Sequence, residues 1–365
     1  MAVERIFIYN FRNYEKLDLE IEGAINLFLG NNAQGKTNLL EALEMAVTSR
    51  SHRTSRDAEL IKWGAQGYYI KAKLRVDHTT AVVEIGYSSD KGRAIRVDGQ
   101  IVRGANGFFP GAAVVFSPDD LSLIKGTPAL RRKYLDSLAV QVNPGFQAQL
   151  SAFQRILFQR NSILKHGEGM NDVVLGVWDE QLAARAAKVI NGRMAVLREL
   201  RPLVQEEHKR LGNNKDISMS YDSSLGIHGN DQSIDADTIL ERILEAREDD
   251  RVNRYTTVGP HRDDLIVTVD GTDLRVYGSQ GQQRAAVLAL KLAEVRLLER
   301  AKEYSPILLL DDVFSELDTH HRQALARAMG DCSQAFITAT DLDSLPNEIG
   351  QASIYYIHDG SVGRG

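Results

Sequence analysis

Cysteine is almost missing from this chain of 365 residues: Cys332 is the single one. An intramolecular disulfide is thereby excluded, and so is a metal–thiolate cluster within one chain. No apolar run approaches the ~20 residues that a membrane span needs. The opening residues alternate charged and apolar side chains from Val3 to Ile8, which predicts a strand and not a secretory signal. Internal repeats and low-complexity tracts are lacking as well. Neither sign of charge dominates: 44 Lys and Arg face 49 Asp and Glu, for a net charge of −5, whereas a nucleic-acid binder usually carries a basic excess. These absences describe an ordinary globular composition with length for one to three domains. They fit a cytoplasmic location.

Against this plain background Gly30-Asn31-Asn32-Ala33-Gln34-Gly35-Lys36-Thr37 stands out. It is a complete phosphate-binding loop: glycine, four residues, glycine, lysine, threonine. It follows the apolar run Ile25–Leu29 and opens the helical pattern Leu39-Leu40-Glu41-Ala42-Leu43, the strand–loop–helix context the motif needs. Gly30 and Gly35 permit the turn and a close backbone approach to phosphate oxygens. Residues 31–34 and Asn38 complete the cradle, and the helix N-terminus adds its positive dipole end. Lys36 is expected to reach the β/γ-phosphates and Thr37 to hold Mg²⁺ through its hydroxyl. ATP and Mg²⁺ are the cofactors implied.

The C-terminal third narrows the class. Ile307-Leu308-Leu309-Leu310 followed by Asp311-Asp312 predicts a buried parallel strand that presents two acids at its carboxyl end. Asp311 is the expected Mg²⁺ partner of Thr37, and Asp312 is placed to orient or deprotonate the attacking water. Between loop and strand lies Tyr277-Gly278-Ser279-Gln280-Gly281-Gln282-Gln283-Arg284, running into the strong helix former that begins at Ala285. Ser279, Gly281 and Gln282 crowd a helix N-terminus, an anion site, although an ordinary N-cap serine has the same appearance.

The order of these three elements resembles that of the ATP-binding-cassette ATPases, in which the Ser-Gly-Gln turn contacts the γ-phosphate held by a second subunit. Ser315-Glu316-Leu317-Asp318 resembles the subunit-contact loop of that class. Closer still, Asn10-Phe11-Arg12-Asn13-Tyr14, Gly35 to Ala42, Ser51-His52-Arg53-Thr54, Val115 to Leu121, Gly259 to Asp264 and Asp311 to Asp318 are similar to the RecF family of bacterial recombination mediators. That resemblance implies an ABC-type α/β head, with mixed or antiparallel strands plus a parallel core sheet, and an inserted helical arm lobe. It implies an ATP-dependent homodimer that clamps double-stranded or gapped DNA in recombinational repair, replication-fork maintenance and the SOS response to damage. RecR and RecO are the implied partners, RecA loading the outcome, and slow, DNA-stimulated hydrolysis the release step.

Along the chain, residues 1–120 predict strands at 3–9, 17–21, 25–29, 68–76, 80–87, 93–97 and 112–116 around one helix at 36–47, with Asp98-Gly99 as a hairpin turn. Residues 121–254 turn helical. Thr127-Pro128 and Asn143-Pro144 are helix starts, Gly167 and Gly169 break the second helix, and a long pattern follows from Asp179. There Arg193 interrupts the apolar stripe and Pro202 should kink it or start anew. Two or three helices of ~20–30 residues would reach about 30–45 Å, a compact lobe and not the long coiled coil of the SMC proteins. Residues 222–233 predict a flexible loop. The head is expected to resume over 255–365.

Charge is unevenly spread. Between Leu121 and His166 seven basic residues (Lys125, Arg131, Arg132, Lys133, Arg155, Arg160 and Lys165) face one acid, Asp136. Arg131, Arg132, Lys133, Arg155 and Arg160, with Arg53 and Arg56 of the loop after the first helix, are the candidate DNA-phosphate contacts; a solvated basic face would look the same. Arg12 either points at nucleotide phosphate or is a solvated turn arginine. Ser117 stands where cassette ATPases place a glutamine, with Asp119 a possible substitute. Thr340 or Asp341 stands where transporter cassettes carry a histidine, and His261 suits a structural role in its turn. Two other readings compete with the repair ATPase: a transporter's nucleotide-binding subunit, opposed by the lacking histidine and the long insertion, and an ATP-switched assembly protein without DNA affinity.

Overall fold

The computed structural model describes residues 1–76, 79–102, 111–166, 172–226, 233–342, 345–346, 349 and 351–365. The chain forms two compact units, Met1–Asp120 with Leu290–Gly365, and Leu121–Ala289.

The first unit holds two sheets. One is antiparallel, with the strands Ala2–Phe11, Tyr14–Glu20, Gly67–Val76, Thr79–Ser88, Gly92–Val97 and Gln100–Ile101. Alternation of buried and exposed side chains along Gly67–Val76 shows that one face is covered. At its far end Asp98 and Gly99 both take positive φ (49° and 80°), the two-residue hairpin turn that the sequence predicts. The other sheet is mixed. Ala113–Phe116, Ile307–Asp311, Ala335–Ala339, Ile25–Leu29 and Ser353–His358 run parallel in that spatial order, and Ser361–Arg364 closes the edge antiparallel. Ile307–Asp311 and Ala335–Ala339 are buried at every position, as expected for parallel strands covered on both faces.

The helix Lys36–Thr48 has eleven of its thirteen residues buried. It packs with strands of both sheets, and its Leu39, Leu40 and Leu43 share one buried core with Ile6, Ile8 and Ile70 of the antiparallel sheet and Phe28, Leu309 and Phe336 of the mixed one. Burial on two faces explains its lack of a polar stripe.

The second unit is built on the helix Asp172–Arg210. Its 39 residues extend over about 58 Å, longer than the pattern predicts at both ends. It starts at Asp172 rather than Asp179, and it runs through Pro202 without stopping. Leu197, Leu200, Leu203 and Val204, all buried, pack on both sides of the proline, and tertiary packing outweighs the one backbone hydrogen bond it removes. Pro128–Val142 and Phe146–His166 pack with this helix, and both begin at or just after the predicted prolines. Gly167, Gly169 and the loop section 227–232 lie outside the described residues.

The expected return to the head at residue 255 is corrected. Asp264–Val269 pairs antiparallel with Ile217–Asp222, in a register from Asp264↔Asp222 to Val269↔Ile217. This strand therefore belongs to the second unit, and the head resumes only at Leu290.

Candidate nucleotide site

The phosphate loop sits between the end of Ile25–Leu29 and the start of Lys36–Thr48, and its neighbours determine which residues fit. A Cβ on Gly30 would lie 2.4 Å from the Ile357 carbonyl oxygen; one on Gly35 would lie 2.5 Å from the Asn13 amide, at a φ of +112°. Neither position tolerates a side chain. Sequence reasoning missed the residues that brace the loop. Asn13 donates to the Gln34 carbonyl (3.1 Å) and accepts from the Asn38 side chain (2.8 Å), while the Tyr14 hydroxyl donates to the Gly35 carbonyl (3.0 Å). From the C-terminal hairpin, Asp359 N–H donates to Gln34 Oε1 (2.6 Å) and Gly360 N–H to the Gln34 carbonyl (3.2 Å). Asn13 and Tyr14 lie within the Asn10-Phe11-Arg12-Asn13-Tyr14 motif, which is a local signal. Asp359 and Gly360 carry no local signal.

The catalytic candidates converge. Thr37 Oγ1 lies 2.9 Å from Asp311 Oδ1, across 274 residues of sequence. Two hard oxygens at that spacing match one edge of a Mg²⁺ octahedron, since Mg–O bonds of about 2.1 Å set adjacent ligands about 3 Å apart. Lys36 is almost wholly buried; its ammonium donates to the Gly30 carbonyl (2.6 Å) and stands 3.8 Å from Asp312 Oδ2. Asp312 has left-handed backbone (φ 48°). Partial burial pushes its carboxyl above the usual range, only partly opposed by Lys36, a direction that suits a proton acceptor working near neutral pH.

Around this centre the other expectations divide. Arg12 is bidentate to the buried Glu41 (2.9 and 2.8 Å) and donates to the Glu59 carbonyl (2.8 Å), so Glu41 takes two of its donors. Burial pushes the Glu41 carboxyl up, and hydrogen bonds from Arg12 and Ser51 more than reverse this. Arg53 also reaches Glu41 (3.2 Å) and Asn38 (2.9 Å), whereas Arg56 is exposed beside Glu59. Ser117 is half-buried, with its N–H on Asp120, and Asp119 is exposed. Thr340 and Asp341 bond each other at 3.0 Å on the surface. A charged cluster invisible in the sequence lies inside the same unit: Lys291 and Glu294 form a buried pair at 2.6 Å, and His52 Nδ1 meets Glu44 at 2.6 Å.

In the second unit, Ser279 and Gln282 form a reciprocal cap on Gln280–Lys302. Ser279 N–H donates to Gln282 Oε1 (2.9 Å), and Gln282 N–H donates to Ser279 Oγ (3.3 Å). Ser279, Gln280 and Gly281 are exposed, so the turn is both a proper helix start and an open surface.

Two DNA-contact candidates are overturned. Arg131 is 3% exposed and bidentate to Asp264 (2.7 and 2.8 Å). Arg160 is fully buried between Asp179 (2.7 Å) and Asp250 (2.6 Å). A guanidinium enclosed with carboxylates cannot meet a phosphate. Arg132 is half-buried and donates to the Asp263 carbonyl (2.7 Å), while Lys133 and Arg155 are exposed. His261 is structural, as expected: it contacts the Thr256 carbonyl through Nε2 (3.0 Å), and burial depresses its pKa to about 4.

Comparison with known proteins places this geometry. The family model described as RecF/RecN/SMC N terminal domain matches residues 2–360. The DNA replication and repair protein RecF of Heliobacterium modesticaldum is 38% identical over 370 residues, covering 100% of this chain and 99% of that protein. The protein of the same name from Symbiobacterium thermophilum is 40% identical over 341 residues, covering 92% and 90%. The solved structure of the recombination mediator protein RecF with ATP, in the RecFOR pathway, is 34% identical and superposes with a TM-score of 0.91 over 100% of this chain and 97% of that one. An Smc head bound to a winged-helix domain of ScpA is 15% identical with a TM-score of 0.52, a likeness of fold alone. With an ABC-like ATPase fold, a complete phosphate loop and relatives alike from end to end, the chain belongs to the RecF family.

Proposed function

We propose that the protein is an ATP-dependent DNA-binding ATPase of replication and repair, working as an ATP-induced homodimer. The observation that carries this reading is the meeting of Thr37 and Asp311 at 2.9 Å beside Lys36 and Asp312. Residues 30–38, with Arg12 at the neighbouring turn, would cradle the triphosphate. Thr37 and Asp311 would hold Mg²⁺, which supplies charge neutralisation at the phosphates. Asp312 would take the proton from the attacking water.

The exposed Ser279–Gly281 turn would complete the site of a second copy, with Gln282 holding the turn in shape. Ser315 and Asp318, on the turn that leaves Asp312 and the cap of the next helix, would line the same contact. The dimer would clamp duplex or gapped DNA through phosphates, and slow hydrolysis would release it. By family resemblance RecR and RecO are the partners, and RecA loading on single-stranded gaps is the outcome. An assembly switch without intrinsic DNA affinity stays in contention for a specific reason: Arg131 and Arg160 are spent on internal carboxylates, which leaves the basic segment weaker than its composition suggests. A transporter role has no such support.

Fluorescence anisotropy of a labelled duplex, titrated with and without ATP–Mg²⁺ at two salt concentrations, separates the readings. ATP-dependent binding that weakens with salt supports the clamp. Unchanged anisotropy in both nucleotide conditions overturns it in favour of the assembly switch.

A further inference from the structure

Thr338 is the one polar side chain in the strand Ala335–Ala339, and it is 1% exposed. A hydroxyl in so apolar a setting is unfavourable unless it is fully hydrogen-bonded. Its bonds all go to the end of the neighbouring strand. The parallel register sets Thr338 against Asp311. Thr338 Oγ1 lies 2.8 Å from Asp311 Oδ1 and 3.4 Å from the Leu310 carbonyl, and it accepts the Asp312 N–H at 2.9 Å. A hydroxyl has a single hydrogen to give, and the short contact to a carboxylate is the stronger claim on it. The oxygen therefore donates to the side chain of one aspartate and accepts from the backbone of the next.

Both bonds act on groups with few other restraints. Asp311 Oδ1 also faces the Thr37 hydroxyl, whose oxygen is the one offered to a cation. Asp312 holds a left-handed backbone, which a non-glycine residue adopts only when its surroundings fix it there. Its N–H bond to Thr338 is such a restraint, and it sets the direction in which the Asp312 carboxyl leaves the chain, 3.8 Å from Lys36.

We propose that Thr338 is a positioning residue for the nucleotide site, a buried hydroxyl that fixes both acids of the Asp311-Asp312 pair at once. This rests on the reading of Thr37 and Asp311 as the Mg²⁺ pair. Thr338 itself touches neither nucleotide nor metal; it acts through the two aspartates. Partners of this kind are worth about 10- to 100-fold in metal affinity or activity.

The test uses Thr338→Val, which keeps the shape and deletes the hydroxyl, and Thr338→Ser, which keeps the hydroxyl and deletes a methyl. Mn²⁺ replaces Mg²⁺ as a paramagnetic probe, and its binding to the protein with a non-hydrolysable ATP analogue is followed by electron paramagnetic resonance, alongside ATP turnover against Mg²⁺ concentration. Thr338→Val is expected to weaken Mn²⁺ binding and lower kcat, each about tenfold, with KM for ATP at saturating Mg²⁺ nearly unchanged. Thr338→Ser is expected to stay within about twofold of the parent on both readouts, even where its thermal midpoint falls. A packing role reverses the pattern, with Ser the more damaged variant, and that result overturns the proposal. So does Thr338→Val binding Mn²⁺ as the parent does. Should the parent protein itself fail to bind Mn²⁺ with the nucleotide, the Thr37–Asp311 assignment falls and takes this inference with it, an outcome distinct from a normal parent with a silent Thr338→Val.

Discussion

Two groups of aspartates in this molecule are handled in opposite ways. In the second unit, Asp179 and Asp250 are wholly buried and share Arg160; Asp179 also binds Arg247 (2.5 Å), and Asp250 takes the Thr257 N–H (2.7 Å) and hydroxyl (2.6 Å). Their charge is cancelled internally. In the first unit, Asp311 is met by two neutral hydroxyls, and the nearest ammonium to Asp312 stands 3.8 Å away. Their charge is held in position but not cancelled. A carboxylate spent on an arginine is structure; one oriented by neutral donors still has a full charge to offer a cation or a proton. Sequence pattern does not separate the two cases, and the partners do.

Substitutions that break this contrast differ in size and in kind. The largest effect belongs to Lys36→Met, which removes the one ammonium in the loop. ATP binding should be lost in equilibrium dialysis while the thermal midpoint barely moves; retained affinity would remove Lys36 from the site. Asp312→Asn keeps the shape and takes away the proposed base. Turnover should fall about 10²- to 10⁴-fold with ATP affinity preserved and an ATP-bound dimer accumulating on size-exclusion chromatography, so a normal rate in that variant assigns the proton to another group.

Arg160→Leu acts on stability instead. It strands two buried carboxylates, and breaking such a set costs about 3–5 kcal/mol, visible as a lower urea midpoint; a change under about 1 kcal/mol would mean that Arg247 and the threonine donors suffice. His261 gives a smaller and pH-dependent term. Its folded pKa, depressed to about 4 by burial, lies below the ordinary 6.5. The unfolded chain therefore binds the proton first, and the stabilisation is complete above pH 6.5 and lost as pH falls toward 4. The loss amounts to about 2 kcal/mol by pH 5 and about 3 by pH 4. His261→Gln should flatten that slope in urea melts between pH 7 and 5; an unchanged slope would assign it elsewhere. Smallest of all, Lys133→Glu with Arg155→Glu should weaken duplex binding modestly and reduce its salt dependence by about two charges, and identical salt slopes would exclude both residues from the DNA contact.

The parts of the site legible in the sequence are those whose meaning is local. The phosphate loop, the acidic strand end, the Asp98-Gly99 turn and the prolines near two helix starts each carry their signal within a few residues. What stayed hidden depends on a partner far along the chain. Arg131 and Arg160 looked like an exposed basic run because Asp264 and Asp250 lie 133 and 90 residues away. Thr338 lies in an apolar run, and only the strand register sets it against Asp311. The second unit extends to Ala289 for the same reason: Leu265-Ile266-Val267 has the pattern of a strand, but pattern does not say which sheet will take it. Pro202 misled differently, since propensity registers the missing N–H and not the buried leucines around it.

The C-terminal hairpin bonded to Gln34 has a consequence for biosynthesis. Ile25–Leu29 has its two sheet neighbours in residues 335–339 and 353–358, and the loop after it takes hydrogen bonds from Asp359 and Gly360. A chain still on the ribosome holds the complete loop sequence early, with Asn13 and Tyr14 at hand, but lacks the neighbouring strands and the hairpin that flank it. Domains form as units once their contacts are available, so the loop gains its last hydrogen-bond partners only after residue 360 has emerged. A nascent polypeptide shorter than that carries the loop sequence without its full set of partners.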